Sequence, residues 1–407
     1  MINITEKSKC CGCSACVQRC PKQCIILKED EEGFLYPQID KNECIECNLC
    51  EKVCPLINPF EKTSPIKVLA VKNRNEEERM ASSSGGVFIA LAKYIISQGG
   101  VVFGAVFDEN WEVKHTYAET IEEIRPMMGS KYLQSRIENT FSEAECFLKK
   151  GRKVMFTGTP CQIIGLKKYL KKEYSDLLTV DILCHGVPSP GVWRKYINEL
   201  PISANTVQQA NNTSYDRNVF SIISDIEFRN KTLNGWKKYN FVIRRSPSLT
   251  NDNSILLSSI HSNNSYMRGF LSDLYLRPSC YQCRCKNGVS HSDLTIADYW
   301  GIDKLMPEFD DDKGIGLVLL NTKQGENIFS KLDMDIRLSS LENTKQQNRG
   351  FKEHITQHPK RLFFFKELNK GKTIEKSVNK SLQISLFVRV KRKIKRIIKY
   401  FIRKIGL

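Results

Sequence analysis

Beyond residue 66 the chain alternates short apolar runs with longer stretches whose apolar residues recur at helical spacing. VLAVKN (68–73) reads as a strand, and the Ser/Gly turn of ERMASSSGGVFIALAKYIISQGG (78–100) leads into a helix closed by Gly99 and Gly100. VVFGAVF (101–107) reads as a strand again. The theme returns in GRKVMFTGTPCQIIGLKKYL (151–170): a basic turn, an apolar strand, a Gly/Pro elbow, and a helix starting near Cys161. It returns once more in LLTVDILCHGVPSPGVWRKYI (177–197), with a strand ending at Cys184 and a helix entered after Pro190. Strand, helix and strand in succession predict an α/β layer.

Elsewhere the pattern changes. The Ser- and Asn-rich segment 201–225 reads as an insertion, and IEFRNKTLNGWKKYNFVIRR (226–245) as a β-hairpin. After Leu332 the pattern predicts mainly helix. In LFVRVKRKIKRIIKYFIRKIGL, Val390, Ile394, Ile397, Phe401 and Ile405 fall on one helical face while Lys and Arg fill most of the other, the pattern of a helix lying on an anionic membrane surface. A packed terminal helix with a charged outer face, or a nonspecific RNA-binding tail, fits the same residues.

Composition narrows the class. With 407 residues more than one domain is expected, and 41% hydrophobic with 26% charged residues is ordinary for a soluble globular protein. No stretch approaches the roughly 20 apolar residues that cross a bilayer. The net charge of +17 suggests a nucleic-acid footprint until its distribution is seen: nine Lys and Arg fall between Leu382 and Leu407 with no acid among them. No specific nucleic-acid partner is therefore expected. The opening MINITEKSK lacks a secretory h-region, so a cytoplasmic location is expected, peripheral at the inner membrane face through the tail. Sixteen cysteines in a reducing compartment point to metal rather than disulfides.

The cysteines carry the strongest signal. Cys10-x2-Cys13-x2-Cys16-x3-Cys20-Pro21 is repeated as Cys44-x2-Cys47-x2-Cys50-x3-Cys54-Pro55. This is the bacterial two-cluster ferredoxin run, in which the fourth cysteine of each run serves the other cluster. The spacing assigns Cys10, Cys13, Cys16 and Cys54 to one 4Fe-4S cluster and Cys44, Cys47, Cys50 and Cys20 to the other. Zinc also uses paired Cys-x2-Cys, but it does not need the third and fourth cysteines and the proline in both copies. Cys11 and Cys24 are out of register and read as spectators, and Cys146 as a small buried hydrophobe. Residues 1–60 form the ferredoxin-like domain, and NPFEKTSPIK (58–67) reads as a linker. Cys161 and Cys184 at strand ends, with the close pair Cys280 and Cys283, suit one more cluster. Cys285 stands as an alternative to Cys283.

SSSGGVFIALAKYIISQGGVVFGAVF, GSKYLQS, VMFTGTPCQIIGL, DILCHGVPSP and CYQCRCKNGVSHSDLTIADYWG, in that order after two ferredoxin runs, closely resemble the family of coenzyme F-420 hydrogenase/dehydrogenase beta subunits across roughly residues 1–305. Members of that family are iron-sulfur flavoproteins. The resemblance implies that Cys161, Cys184, Cys280 and Cys283 hold a cluster beside FAD. It also makes Ser83, Ser84, Gly85, Gly86, Lys131, Tyr132 and Gln134 candidates for lining the flavin, with Thr157, Gly158 and Thr159 of the GTPCQ elbow. A Gly-rich turn before a helix also presents free N–H groups to an anion. His185 and Asp298 are candidate acid–base groups near the flavin. FRNKTLNGWKKYNF and QHPKRLFFFKEL look more like bacterial members of the family, which leaves the substrate open.

The expected fold is thus α+β and α/β in sequence: a two-cluster ferredoxin-like domain (1–60), an α/β flavin and 4Fe-4S domain (67–330), a helical extension (331–380) and a basic amphipathic helix (381–407). The expected function is a flavin- and iron-sulfur-dependent oxidoreductase. It would pass electrons between the clusters, FAD (or FMN) and a hydride-exchanging substrate, either a deazaflavin coenzyme or an intermediate of cell-surface polysaccharide synthesis. A redox partner such as a ferredoxin is implied. The alternative is an electron-transfer subunit that docks to a catalytic partner and has no substrate of its own.

Overall fold

The structure, a computed structural model, describes residues 1–200, 222–245, 255–352 and 354–383. Its N-terminal head is a hairpin, β1 (Ile25–Glu29) and β2 (Leu35–Ile39), between two one-turn helices, Ala15–Gln18 and Leu49–Lys52. Each helix is entered through a left-handed residue, Ser14 at φ 61° and Asn48 at φ 57°, so the two cysteine runs share one backbone geometry as well as one spacing. The head's own core is made of Ile2, Cys16, Cys24, Ile25, Cys50 and Cys54. A core built mostly of thiols needs bound metal to hold a domain this small.

The remainder is organised by a mixed sheet. Its strands are β3 (Lys67–Asn73), β4 (Val101–Phe107), β5 (Val113–Ala118), β6 (Val154–Gly158), β7 (Leu177–Ile182), β11 (Leu294–Asp298), β12 (Gly316–Leu320) and β13 (Met334–Ser339), in spatial order β13-β3-β12-β11-β7-β6-β4-β5. β4, β6, β7 and β11 run parallel, as the strand–helix–strand pattern predicts, and the antiparallel strands flank them. Alternation sets the layers. Val102 on β4 faces Leu91 and Ile95 of the helix Val87–Ser97, whereas Val101 and Phe103 face the helices Thr140–Lys149 and Pro160–Leu170. Cys11, Cys13, Ala15 and Val53 of the head belong to that second core, so the head is packed into the α/β unit. The Glu32 carbonyl accepts from Gly191 N at 3.2 Å, and the Glu32 carboxylate pairs with Arg361.

A second, antiparallel sheet of β8 (Ile223–Asn230), β9 (Asn240–Arg245) and β10 (Ile255–Ile260) contains the expected hairpin. An aromatic core around Trp193, Phe228, Phe241 and Tyr266 joins it to the helices Ser265–Leu271, Arg361–Asn369 and Ile374–Leu382.

The structure differs from the pattern-based reading at three places. The region after 331 is helical only from Leu341: MDIRLS alternates with period two and forms β13 on the free edge of β3, which carries the sheet past residue 330. β7 stops at Ile182, leaving Cys184 in the loop that follows. Cys146 is exposed on its helix rather than buried. The expected insertion (201–225) lies outside the described residues up to 221, and the basic helix (381–407) from 384 onward. No helix among the described residues is long and apolar enough to cross a membrane.

Candidate functional site

The head brings its cysteines together crosswise. Cys16 is pushed up to about 12, first by burial and then by Cys10, Cys54 and Cys50; Cys54 is raised by burial and by Cys10 and Cys50. Cys13 lies beside Cys16 and Cys54. Cys20, Cys44, Cys47 and Cys50 line one cavity with Cys24, Ile25 and Ile39. Cys24 is therefore no distant spectator: its Sγ is 3.4 Å from that of Cys20. Among the described residues no three Cys, His, Asp or Glu side chains converge on a single ion; in the second set the thiols surround a volume. Thiols crowded in an apolar core raise one another's pKa, and only bound metal holds them as thiolates. The donor sets thus suit the clusters implied by their spacing.

A third set assembles from three separate loops. Cys161 opens the helix Pro160–Leu170, Cys184 follows β7, and Cys280 and Cys283 belong to the turn at Pro278–Gln282. Burial raises Cys184, with Cys280, Cys161 and Cys283 as its thiol neighbours. Val187 N donates to Cys280 Sγ at 3.4 Å. Gly186, at φ +149°, is needed there because a Cβ would lie 2.9 Å from Leu276 and 3.3 Å from Cys280. Hydrogen bonds from Cys285, with the Lys286 charge, hold Cys283 down at about 6, while Cys285 is raised. Cys283 is the readier thiolate of the pair. Cys11, also out of register, is buried in one core with Cys13, against which Cys161 packs, so the first set adjoins the third.

The sequence did not single out the residue that ties these sets together. Arg277, fully buried, donates through Nε to the Cys10 carbonyl (2.8 Å), through Nη1 to Gln134 Oε1 (2.9 Å), and through Nη2 to the Leu35 carbonyl (2.8 Å) and Cys10 Sγ (3.5 Å). Gln134 in turn donates to the Cys11 carbonyl at 3.1 Å. Gly12 makes room for both: at φ +71°, its Cβ would stand 2.7 Å from Gln134 Nε2 and 2.9 Å from Arg277 Nη1. The only sequence signal was position, three residues before Cys280.

The residues implied as flavin-lining divide into two groups. Ser130 N donates to Ser83 Oγ at 2.6 Å, joining the SSSGG and GSKY loops. Ser84 Oγ donates to the Ile315 carbonyl, and Gly85 passes between β3 and β12, where a Cβ would lie 2.4 Å from the Val71 carbonyl. Gly86 (φ +79°) enters the helix Val87–Ser97 with no side-chain cap, leaving its first N–H groups open to an anion. Lys131 has its ammonium enclosed, and burial lowers it to about 8. His115, missed in the sequence, bonds the Thr157 carbonyl at 3.0 Å; its Nδ1 has no partner, and burial lowers it to about 4. Thr157 and Gly158 end β6, and the Thr159 hydroxyl is 3.2 Å from Cys161 Sγ. Tyr132 and Gln134 face elsewhere. Gln134 holds the head, and Tyr132 packs on Phe228 and Phe270 with its hydroxyl 3.4 Å from Arg229.

Arg229 and Asp298 form a buried ion pair. The guanidinium lies over Tyr239 and Trp300, and its Nε and Nη2 have no partner. Asp298 also accepts from Trp236 Nε1 at 3.2 Å. The orphaned donors on Arg229 suit an anion bound there, whereas His115, neutral and donating through Nε2 to a carbonyl, turns a lone pair outward at Nδ1. His185 sits apart from Asp298 in the hydrogen-bond pattern: its ring pairs with Asp273, and its carbonyl accepts from Lys286 at 3.1 Å.

Three family models match the chain: a 4Fe-4S dicluster domain over 9–56, the N-terminal part of the coenzyme F-420 hydrogenase/dehydrogenase beta subunit over 68–141, and its C terminus over 151–345. The chain is 23% identical over 192 residues to one of the subunits of the F(420)H(2) dehydrogenase of Methanosarcina mazei, covering 44% of this chain and 54% of the relative. It is 28% identical over 190 residues to the coenzyme F-420-dependent sulfite reductase of Methanocaldococcus jannaschii, covering 46% and 29%. The chain thus spans about half, or less, of these curated relatives. A chain of the F-420-reducing NiFe hydrogenase complex from Methanosarcina barkeri aligns with a TM-score of 0.43 at 17% identity, covering 79% of this chain and 92% of that one.

Proposed function

The chain belongs to the family of coenzyme F-420 hydrogenase/dehydrogenase beta subunits, and from that premise we propose that it is an iron-sulfur flavoprotein that passes electrons between its N-terminal head and a flavin-bearing α/β unit. Its dicluster domain makes it an iron-sulfur electron-transfer protein at the least. The observation that carries the fuller reading is the core that Cys11 and Cys13 of the head share and against which Cys161 packs, which makes the head's first set and the third set neighbours. Cys10, Cys13, Cys16 and Cys54 would hold one 4Fe-4S cluster, Cys44, Cys47, Cys50 and Cys20 a second, and Cys161, Cys184, Cys280 and Cys283 a third. The Ser83–Gly86 turn, Lys131 and the Thr157–Thr159 elbow would hold FAD beside the third set.

Cubanes exchange single electrons whereas a flavin exchanges one or two, so such a set couples one-electron carriers to hydride chemistry. The chain's own residues shape that task. Exposed Cys47 places the second set at the surface, where a carrier reaches it, and the thiols of the third set are half-buried. The names of the relatives favour a deazaflavin as the hydride partner; nothing in the structure favours a polysaccharide intermediate. Because one curated relative is named as part of a larger dehydrogenase, a second reading is an electron-transfer protein that serves a separate catalytic partner. Copurification of a stoichiometric partner, with no turnover by the isolated chain, would select it.

The test is iron, sulfide and flavin analysis with a visible spectrum on protein purified without oxygen. About twelve irons and one flavin per chain are expected for three cubanes. About eight irons with flavin would remove the third set, and zinc without flavin would overturn the reading.

A further inference from the structure

We infer that Arg277 sets the redox order of the head, making the first cysteine set (Cys10, Cys13, Cys16, Cys54) a better electron acceptor than the second. This rests on the proposal that both sets hold 4Fe-4S clusters. Arg277 is fully buried, and its hydrogen bonds go to the Cys10 and Leu35 carbonyls, the Gln134 amide oxygen and Cys10 Sγ, with no carboxylate among them. A buried cation without a counter-ion is costly, and one that persists has its compensation in a nearby anion. Cys10 Sγ, 3.5 Å from Nη2, would be that anion as a thiolate ligand of the first cluster. Its guanidinium also lies 4.4 Å from the Tyr36 ring and 5.2 Å from the Phe34 ring. These rings wall the charge off from water and keep its field unscreened.

The potential of an iron-sulfur cluster follows its net charge, the hydrogen bonds to its sulfurs and its exposure. Arg277 acts on the first two: it brings a fixed positive charge and an N–H aimed at Cys10 Sγ. A one-electron reduction adds negative charge beside that cation and is favoured by it. The second set has no such buried cation among the described residues. Its cavity is lined mostly by thiols and apolar side chains, with exposed Lys22 and Glu46; the Met1 ammonium that also borders it is neutralised by Glu51 at 2.8 Å, and the N–H that reaches Cys50 Sγ, from Ile2 at 3.4 Å, carries no charge. An electron entering at surface Cys47 is thereby drawn to the first set, which lies beside Cys11 and Cys161. Arg277 is a positioning and tuning residue, since it acts through Cys10.

The experiment is an anaerobic potentiometric titration followed by electron paramagnetic resonance on the full chain, in wild type, Arg277→Gln, Arg277→Lys and Gln134→Glu. The Gln variant is expected to lower the midpoint of one cluster with the iron content unchanged, and the Lys variant to lower it less. Gln134→Glu leaves Arg277 in place but neutralises it with a carboxylate on Nη1, and is expected to lower the same midpoint. It decides the matter if Arg277→Gln loses iron. Equal cluster midpoints in Gln134→Glu and wild type, at full iron content, would overturn the inference. A wild-type protein without iron would instead overturn the cluster reading on which it rests.

Discussion

His185 Nε2 lies 2.6 Å from Asp273 Oδ1, and the other oxygen of that carboxylate accepts from Arg349 at 2.6 Å. The ring is also set edge-on to Phe270, and the His185 carbonyl is held by Lys286. This network holds the loop that carries Cys184, and His185 is expected to act by position. Asp273→Ala is expected to reduce iron from about twelve to about eight per chain, the loss of one cubane. His185→Gln is expected to leave the pH profile of electron transfer unchanged. Full iron in the first variant with a shifted profile in the second would make His185 a proton carrier instead.

Cys161 and Cys11 adjoin but have different expected roles. Cys161→Ala removes a proposed ligand of the third set and is expected to cost about four irons per chain. Cys11→Ser is expected to keep all the iron and to slow flavin reduction by an electron donor acting at the head, seen by anaerobic stopped-flow. Iron loss in Cys11→Ser would make it a ligand and displace one of Cys161, Cys184, Cys280 and Cys283.

Docking of the head depends on absent side chains. A Cβ on Gly12 would meet Gln134 and Arg277, and one on Gly165 would lie 3.2 Å from Cys13 Sγ. Gly12→Ala adds to that clash the strain of a left-handed backbone, so a loss of about 2 kcal/mol or more is expected, with early release of iron on heating. Gly165→Ala is expected to cost less, because its backbone is helical. Equal melting and iron retention in all three proteins would show that the head is not packed as described.

Much of this arrangement was legible because it is local. The ferredoxin runs lie within fifteen residues each, and β4, β6, β7 and their helices follow contiguous patterns. What the pattern missed depends on contacts far apart in sequence. Arg277 meets Cys10 across 267 positions, and Cys11 meets Cys161 across 150, so neither contact leaves a periodic trace. β13 was missed because a short edge strand between helical stretches has too few alternating positions to outweigh its surroundings; Ile336 and Leu338 remain exposed even in the folded sheet. Cys11 and Cys24 read as spectators because ligand spacing identifies only in-register thiols; that folding sets them beside Cys13 and Cys20 depends on packing that spacing does not show. Tyr132 and Gln134, implied with Lys131 as flavin-lining by the family resemblance, reach toward Arg229 and toward the head, since successive loop residues face different ways.

Asp181 offers a test of the scaffold that delivers Cys184. It lies on β7, buried at 3% exposure, with Oδ2 accepting from Ser290 at 2.6 Å and Oδ1 without a partner. Burial raises its carboxyl to about 6 from an ordinary 3.8, against the pull of hydrogen bonds from Ser290, Thr295 and Ser292. The folded chain therefore holds a proton that the unfolded chain has released between pH 3.8 and 6. Stability on this account falls as pH rises through that window, and the full penalty is present above about pH 6. A shift of this size corresponds to about 3 kcal/mol as an upper bound. Asp181→Asn removes the charge and keeps the shape, so the variant is expected to be more stable than wild type at pH 7 by about 1–3 kcal/mol and nearly equal to it at pH 4. Anaerobic thermal melts across that range measure the difference. A gain that is absent at pH 7 would mean that the carboxylate is charged in the folded sheet at little cost, its environment near Cys184 being more polar than its contacts indicate, and a gain of the same size at pH 4 would mean that it does not come from the charge.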